Sequence, residues 1–196
     1  MNVLVRRSNL LMRAGDVDGV KSAWQHNADA ITLDIAGAGT AVRDAIVSCA
    51  QGGAEIFVRV REATLRADLE AAVWPGLRGI MLASVVSAAQ VKAADEIVTV
   101  LERERGLASG AVQLIIVLDT ARVVWDVREI VTASARISQV ALDEQGLAAD
   151  LGITPSPEID PFDFARGRVI VEAIAAKVMP VGIAYPLSVA PRVASF

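Results

Sequence analysis

Short apolar runs alternate with longer amphipathic stretches along most of the chain. Seven runs carry the bulky and β-branched residues typical of buried strands, over 10–12, 28–34, 55–60, 79–82, 114–118, 137–142 and 179–186. Apolar residues between them recur at helical spacing, which predicts helices over 16–26, 41–50, 68–73, 86–105, from residue 119 to 135, and over 163–177. This alternation predicts a parallel sheet with helices outside it.

The number of strand–helix units suggests a barrel that is not complete. A closed eight-stranded barrel usually needs about 250 residues, and this chain has 196. No linker or change of pattern divides the sequence, so we expect a single domain over 1–196. The predicted fold is an α/β barrel of the TIM type with about seven strands, the eighth βα unit being missing.

Acidic residues follow two consecutive strands in the middle of the chain. Asp119 comes directly after the run 114–118, and Asp143 and Glu144 come after the run 137–142. In a parallel βαβ unit both strands end at the same edge of the sheet, so these carboxylates could be neighbours. Ligands of α/β folds bind at that edge.

Composition excludes several classes of protein. Hydrophobic residues make up 54% of the chain, yet polar residues interrupt every apolar run before the ~18 residues that a membrane span needs. The net charge is −4 without a basic stripe, and aromatic residues are 4%, which argues against a nucleic-acid partner. With one cysteine and no secretory signal pattern, the expected compartment is the cytoplasm.

Seven fragments, taken together, resemble the citrate lyase β-subunit and HpcH/HpaI aldolase family, and they occur in that family's order. They are RSNLLM at 7–12, ADAITLDI at 28–35, FVRV at 57–60, GIMLASV at 79–85, LIIVLDTA at 114–121, ALDEQGLAADLG at 141–152 and FARGRV at 164–169. The resemblance implies a TIM barrel. It also implies an enzyme that makes or breaks carbon–carbon bonds in carboxylic acids and their coenzyme A thioesters, using a divalent metal such as magnesium.

The matching positions carry different residues where the family binds its metal. One metal ligand of the family is a glutamate, at the position of Asp119 here; the other is an aspartate, at the position of Gly146, which has no side chain. An acidic pair of the family is replaced by Ala36 and Gly37. Its Pro-Lys pair is replaced by Ala83-Ser84, and its eighth strand does not follow residue 186.

Two interpretations of the acidic residues stay open. Asp119 and Asp143 could supply the one or two carboxylates that magnesium usually takes from a protein, with Asp143 or Glu144 replacing the missing ligand. Alternatively, Asp119 caps the helix that follows it, and Asp143-Glu144 only begins a loop.

Arg59 is the best-matched functional position. In the family, the corresponding arginine binds the carboxylate or carbonyl oxygens of the substrate, which suits a planar guanidinium with five donors. A buried charge needs an anion or a partner. The alternative is therefore a structural ion pair with Asp34, at the end of the neighbouring strand.

Two functions follow. The first is a non-catalytic relative with a degenerate metal site that serves as a binding or assembly module, with a small carboxylic acid, an acyl-CoA or a full-length homologue as partner. The second is a metal-dependent carbon–carbon lyase or aldolase acting on a 2-oxo acid or acyl-CoA thioester. Because an open barrel leaves strand edges unpaired, we also expect a homo-oligomer, with the apolar tail 187–196 near the open side.

Overall fold

The computed structural model describes residues 8–36, 41–154 and 160–182, and over these it forms one sheet of seven parallel strands. The strands lie side by side in chain order: β1 Asn9–Arg13, β2 Ala30–Asp34, β3 Glu55–Arg61, β4 Leu77–Ala83, β5 Gln113–Leu118, β6 Ile137–Leu142 and β7 Met179–Val181. The sheet curls with its helices outside, so the predicted incomplete barrel is confirmed. Within the described ranges no pairing joins β7 to β1.

Within the described ranges, eight α-helices connect the strands. They are α1 Val17–Ser22, α2 Ala41–Ala50, α3 Leu65–Ala72, α4 Ala88–Glu104, α5 Ala121–Trp125, α6 Val127–Val131, α7 Glu144–Leu151 and α8 Asp163–Ala175. Short 3-10 helices cover Ala23–His26 and Glu62–Thr64. None of the helices described combines the length and the hydropathy needed to cross a bilayer.

The two faces of the sheet are buried by different partners. Alternate residues such as Ile56, Val58 and Val60 face outwards into the large core beneath the helices. The residues between them face the inside of the curl, where Phe57 and Ile115 form a small apolar floor with Ala30 and Met81. The inner face is therefore closed by side chains below and can hold a site only near the strand ends.

A buried ion-pair cluster joins α4 to the start of β6, at the N-terminal end of the parallel strands. This lower cluster consists of Arg136, Glu102, Asp95, Thr99 and Ser134. The Arg136 guanidinium donates to Glu102 at 2.8 and 2.7 Å, to Asp95 at 2.5 Å and to Thr99 at 2.8 Å. The side chains of Arg136 and Glu102 are 8% and 1% exposed. Every carboxylate of the cluster therefore has a partner.

The structure corrects three predicted segments. The predicted helix 16–26 ends as a 3-10 turn, and the one following residue 119 divides at Asp126 into α5 and α6. Helix α7 replaces a predicted loop: Asp143 caps its start, and Gly152 ends it with φ 66°, a left-handed conformation that glycine adopts without strain. The predicted strand beyond 182 and the tail 187–196 lie outside the described residues.

Candidate functional site

The candidate residues converge at the C-terminal edge of the sheet. Asp34 is the last residue of β2, and it stands in register with Arg59 on β3. Ser84, Asp119 and Asp143 directly follow β4, β5 and β6. The parallel arrangement therefore brings together side chains that are far apart in sequence, as the sequence predicted.

The Asp34 carboxylate forms an ion pair with Arg61, a residue that was not predicted to belong to the site. Arg61 donates to the Asp34 carboxylate at 3.0 Å, and the other carboxylate oxygen accepts from the Ala36 N–H at 3.1 Å. The suggested structural pair between Asp34 and Arg59 is therefore wrong. Arg61 lies two residues beyond Arg59 on the same face of β3, closer to the end of the strand.

Arg59 keeps part of its guanidinium without a partner. Its Nε atom is buried and has no hydrogen-bond acceptor among the described residues. A buried donor left unpaired costs about 1–3 kcal/mol, so such atoms are rare in folded proteins. The nearby charge is Asp119, whose carboxylate the Arg59 charge stabilises. Arg59 is thus held at the inner face with one guanidinium nitrogen unpaired among the described residues.

Asp119 lies in an environment that disfavours its charge. Burial raises the pKa of the Asp119 carboxyl, and the negative charge of Asp143 raises it further. The Ser84 hydroxyl and the Arg59 charge oppose this shift without cancelling it. Because Ser84, Arg59 and Asp143 all act on the Asp119 carboxyl, these four residues are called here the upper cluster.

Ser84 was not identified as a site residue from the sequence. It has φ 57°, a left-handed conformation that is uncommon outside glycine, and its side chain is exposed at the end of β4. Strained backbone of this kind often occurs at functional sites. One sequence signal could have identified Ser84: within the fragment GIMLASV it stands where the family has a lysine.

Asp143 and Glu144 serve the start of α7. The Asp143 carboxylate accepts from the N–H groups of Gln145 and Gly146, both at 3.1 Å, and so caps the helix. Glu144 forms an ion pair with Arg166 of α8, which also binds Asp160. The interpretation that these acids begin a loop is therefore wrong. The suggested cap at Asp119 is also wrong, because Thr120 provides the cap of α5.

Gly146 has no room for a side chain. A Cβ atom added there would lie 2.8 Å from the Asp119 Cβ and 3.3 Å from the Asp119 backbone oxygen. The 2.8 Å contact is shorter than folded proteins accept, and the contact with the backbone oxygen is tighter than most. An aspartate could enter position 146 only if α7 moved away from β5.

The residues present do not fit the metal arrangement that the family resemblance implies. Position 146 offers no oxygen, Arg166 neutralises Glu144, and the Asp143 cap already uses one carboxylate oxygen. In the described part of the chain no group of three or more His, Cys, Asp or Glu side chains converges to hold an ion. Asp119 and Asp143 are left as two carboxylates that repel each other.

Known proteins share both the sequence pattern and the fold. The family profile described as HpcH/HpaI aldolase/citrate lyase matches residues 13–188. The citrate lyase subunit beta of Leuconostoc mesenteroides subsp. cremoris is 25% identical over 187 residues, which cover 89% of this chain and 62% of that protein. This chain therefore spans about three fifths of the length of that curated relative.

Two solved structures have the same fold. The malate synthase of Haloferax volcanii, in a magnesium/glyoxylate complex, superposes with a TM-score of 0.79 at 16% identity, over 95% of this chain and 66% of that one. The HpcH/HpaI aldolase from Desulfitobacterium hafniense superposes with a TM-score of 0.66 at 17% identity, over 92% of this chain and 78% of that one. The structural likeness shows the fold, and the profile match over most of the sequence shows that the chain belongs to the HpcH/HpaI aldolase/citrate lyase family.

Proposed function

We propose that this protein is a non-catalytic member of its family that binds a small carboxylic acid through Arg59. The observation that carries the proposal is the buried Nε of Arg59, which has no acceptor among the described residues. A guanidinium binds a carboxylate with two parallel hydrogen bonds, and one acid would balance the Arg59 charge, which the described residues pair incompletely. The degenerate metal site would leave such a ligand bound and unreacted.

The surroundings of Arg59 favour a small ligand. The floor beneath it is apolar, with Phe57 fully buried and Ile115 2% exposed. Gly79 on β4 is packed so closely that an added Cβ would lie 2.8 Å from the Phe57 ring. There is little depth below Arg59, so the ligand would lie across the strand ends.

Binding can be measured by thermal unfolding in the presence of acids. Pyruvate, glyoxylate, oxaloacetate and malonate form the panel, with acetyl-CoA as a separate arm for thioesters. A ligand that binds only the folded state raises its melting temperature. We expect a shift with at least one acid that Arg59→Met removes. Arg61→Met is the matched control, since Arg61 is already paired with Asp34. No shift with any ligand would reject the proposal.

A metal-dependent carbon–carbon lyase is the second candidate, and one observation favours it. The Asp119 and Asp143 carboxylates repel each other at the end of neighbouring strands, and a divalent cation would relieve that repulsion. Calorimetric titration with Mg²⁺ and Mn²⁺ separates the two functions. We expect weak binding or none near neutral pH. A dissociation constant in the low micromolar range that Asp119→Ala abolishes would favour the lyase.

We also infer that the chain assembles with a second copy of itself. Phe164, Val171 and Ile174 lie along one face of α8 and are 68, 66 and 61% exposed. That helix packs beside the edge strand β7, so its apolar face adjoins the open side of the sheet. Light scattering should show at least a dimer, which Val171→Glu weakens. Val47→Glu, at a comparably exposed position of α2, should not. A monomeric parent chain would reject the inference.

A further inference from the structure

An exposed apolar stripe runs along helix α8. Phe164, Gly167, Val171 and Ile174 are spaced three, four and three residues apart, the heptad pattern that places side chains on one face of a helix. These four residues are called here the α8 stripe, and the three large side chains among them are mostly exposed. The opposite face of the helix packs into the core. The described part of the chain therefore leaves the α8 stripe uncovered.

Gly167 lies in the middle of the α8 stripe, and the described fold gives no reason for a glycine there. Its backbone is helical, without the left-handed φ that favours glycine. An added Cβ would meet no atom within 4 Å, so packing inside the chain does not require a small residue. Glycine is also one of the least favourable residues in the interior of a helix. A second surface that approaches the α8 backbone closely would account for it.

A second copy of α8 fits the stripe when the two helices run in opposite directions. In an antiparallel pair around a two-fold axis, Phe164 faces the partner subunit's Ile174, and Gly167 faces the partner subunit's Val171. The valine then occupies the space that the glycine leaves. In a parallel pair Gly167 would face its own copy and leave a void, which costs stability. The order of large and small side chains thus favours the antiparallel pair.

The charges at the two ends of α8 favour the same direction. Asp163 is the first residue of the helix, and Lys177 lies two residues beyond its last. Neither side chain has a hydrogen bond or an ion pair with another described residue. The antiparallel pair brings Asp163 beside the partner subunit's Lys177, and the symmetry repeats this contact. A parallel pair would place like charges together. Charges flanking a heptad stripe set the orientation of paired helices.

We propose that two copies of the chain associate through an antiparallel, two-fold pair of α8 helices, in which the partner subunit's Val171 packs over Gly167. The inference rests on the proposed self-association and adds its geometry and the residue that determines the close approach. One helix pair forms a small interface, at or below the roughly 1,200 Å² that marks the low end of specific complexes. The dimer is therefore reversible and depends on protein concentration.

Gly167→Leu tests the close approach. Leucine is a better helix former than glycine and makes the stripe more apolar, so a merely sticky surface would associate more tightly. In the antiparallel pair the leucine collides with Val171, and overpacking of this kind corresponds to about tenfold in affinity. We expect sedimentation equilibrium to show dimerisation weakened about tenfold. Ala93→Leu, at an exposed position of α4, is the matched control and should leave it unchanged. Unchanged or tighter dimerisation of Gly167→Leu would overturn the proposal.

Cross-linking tests the direction. Asp163→Cys and Lys177→Cys are prepared separately, and the native Cys49 does not interfere, because it is buried and burial raises its pKa to about 11. With a short bifunctional maleimide, a mixture of the two variants should give a covalent dimer. Each variant alone should give none, because residues of the same number lie about 20 Å apart along the antiparallel pair.

The outcomes separate the geometry from the self-association on which it rests. If each variant cross-links with itself, the helices run parallel and the proposal is overturned. If the parent chain is dimeric by light scattering and the mixture gives no covalent dimer, self-association stands and the α8 pair is rejected. If the parent chain is monomeric, both fail.

Discussion

Two arginines among carboxylates lie at opposite ends of the same sheet, and they differ in how completely they are paired. In the lower cluster, Arg136 makes contacts through all three of its nitrogens. Burial alone would raise the pKa of Glu102, but hydrogen bonds from Arg136 and from two backbone N–H groups outweigh it, and that pKa is lowered. In the upper cluster, Arg59 keeps an unpaired donor and the pKa of Asp119 is raised.

The difference separates stability from binding. A satisfied buried network holds elements in place and leaves nothing for a ligand. A buried network with an unpaired donor lowers stability, and a bound ligand can supply the missing acceptor. Under the proposed function the two ends of the sheet perform different tasks, and in barrels generally the C-terminal edge carries the site. The predictions below test this contrast.

Arg136→Met should have the largest effect. It leaves Glu102 buried without its ion-pair partner, bound only by two backbone N–H groups, and breaking a buried pair on one side costs about 3–5 kcal/mol of unfolding free energy. Urea denaturation measures the loss. Arg66→Met is the control, because its pair with Glu70 is exposed and should contribute at most about 1 kcal/mol. Equal losses in both variants would show that the lower cluster does not stabilise the fold.

Acid should weaken the lower cluster selectively. The pKa values of Asp95 and Glu102 are below their unfolded values of about 3.9 and 4.3. Their contribution to stability is therefore complete above the unfolded pKa and is lost as pH falls through the folded one. The parent chain should lose more unfolding free energy between pH 7 and pH 3 than Arg136→Met does. The opposite order would contradict the assigned pairing.

Arg59→Met should remove ligand stabilisation with little change in the free protein. An acid present at 100 times its dissociation constant stabilises the parent chain by about 2.7 kcal/mol, and the variant should gain nothing. Without ligand, the two proteins should unfold within about 1 kcal/mol of each other, because Arg59 is incompletely paired. A large intrinsic loss would assign Arg59 to the fold instead.

Asp119→Asn should stabilise the protein modestly at neutral pH. A carboxyl whose pKa is raised by folding lowers stability increasingly as pH rises from the unfolded pKa, about 3.9, through the folded one. Removing the charge should therefore add about 0.5–2 kcal/mol at pH 7 and nothing near pH 3. Thermal unfolding at pH 7 and pH 3 measures both values. Equal stabilisation at the two pH values would indicate a packing effect and would contradict the role assigned to the Asp119 charge.

The strand order and the edge that carries the site could be predicted from sequence because both depend on local patterns. The runs 114–118 and 137–142 are strands, and Asp119 and Asp143 follow them as expected. Helix α7 could also have been found, since Asp143 and Gly152 are its ordinary start and stop residues. Glycine at position 146 and the acidic residues obscured the helical pattern.

Pairing between side chains could not be predicted. Arg59 and Arg61 occupy the same face of β3, and Asp34 pairs with Arg61 although it stands in register with Arg59. Likewise, nothing local shows that Arg166, 22 residues away, binds Glu144. The left-handed φ of Ser84 is set by the turn between β4 and α4, so the residue type gives no warning of it. These features depend on three-dimensional contacts that periodicity does not encode.

The contact between Gly146 and Asp119 has a consequence for how the protein could change. A single reversion to aspartate at position 146 would collide with the Asp119 Cβ, so restoring one family ligand endangers the other. Shortening residue 119 would make space but would delete the remaining ligand. A metal centre with carboxylates at both positions would therefore need at least two coordinated substitutions, including one that moves α7. Successive single substitutions would pass through a variant in which the side chains at positions 119 and 146 collide.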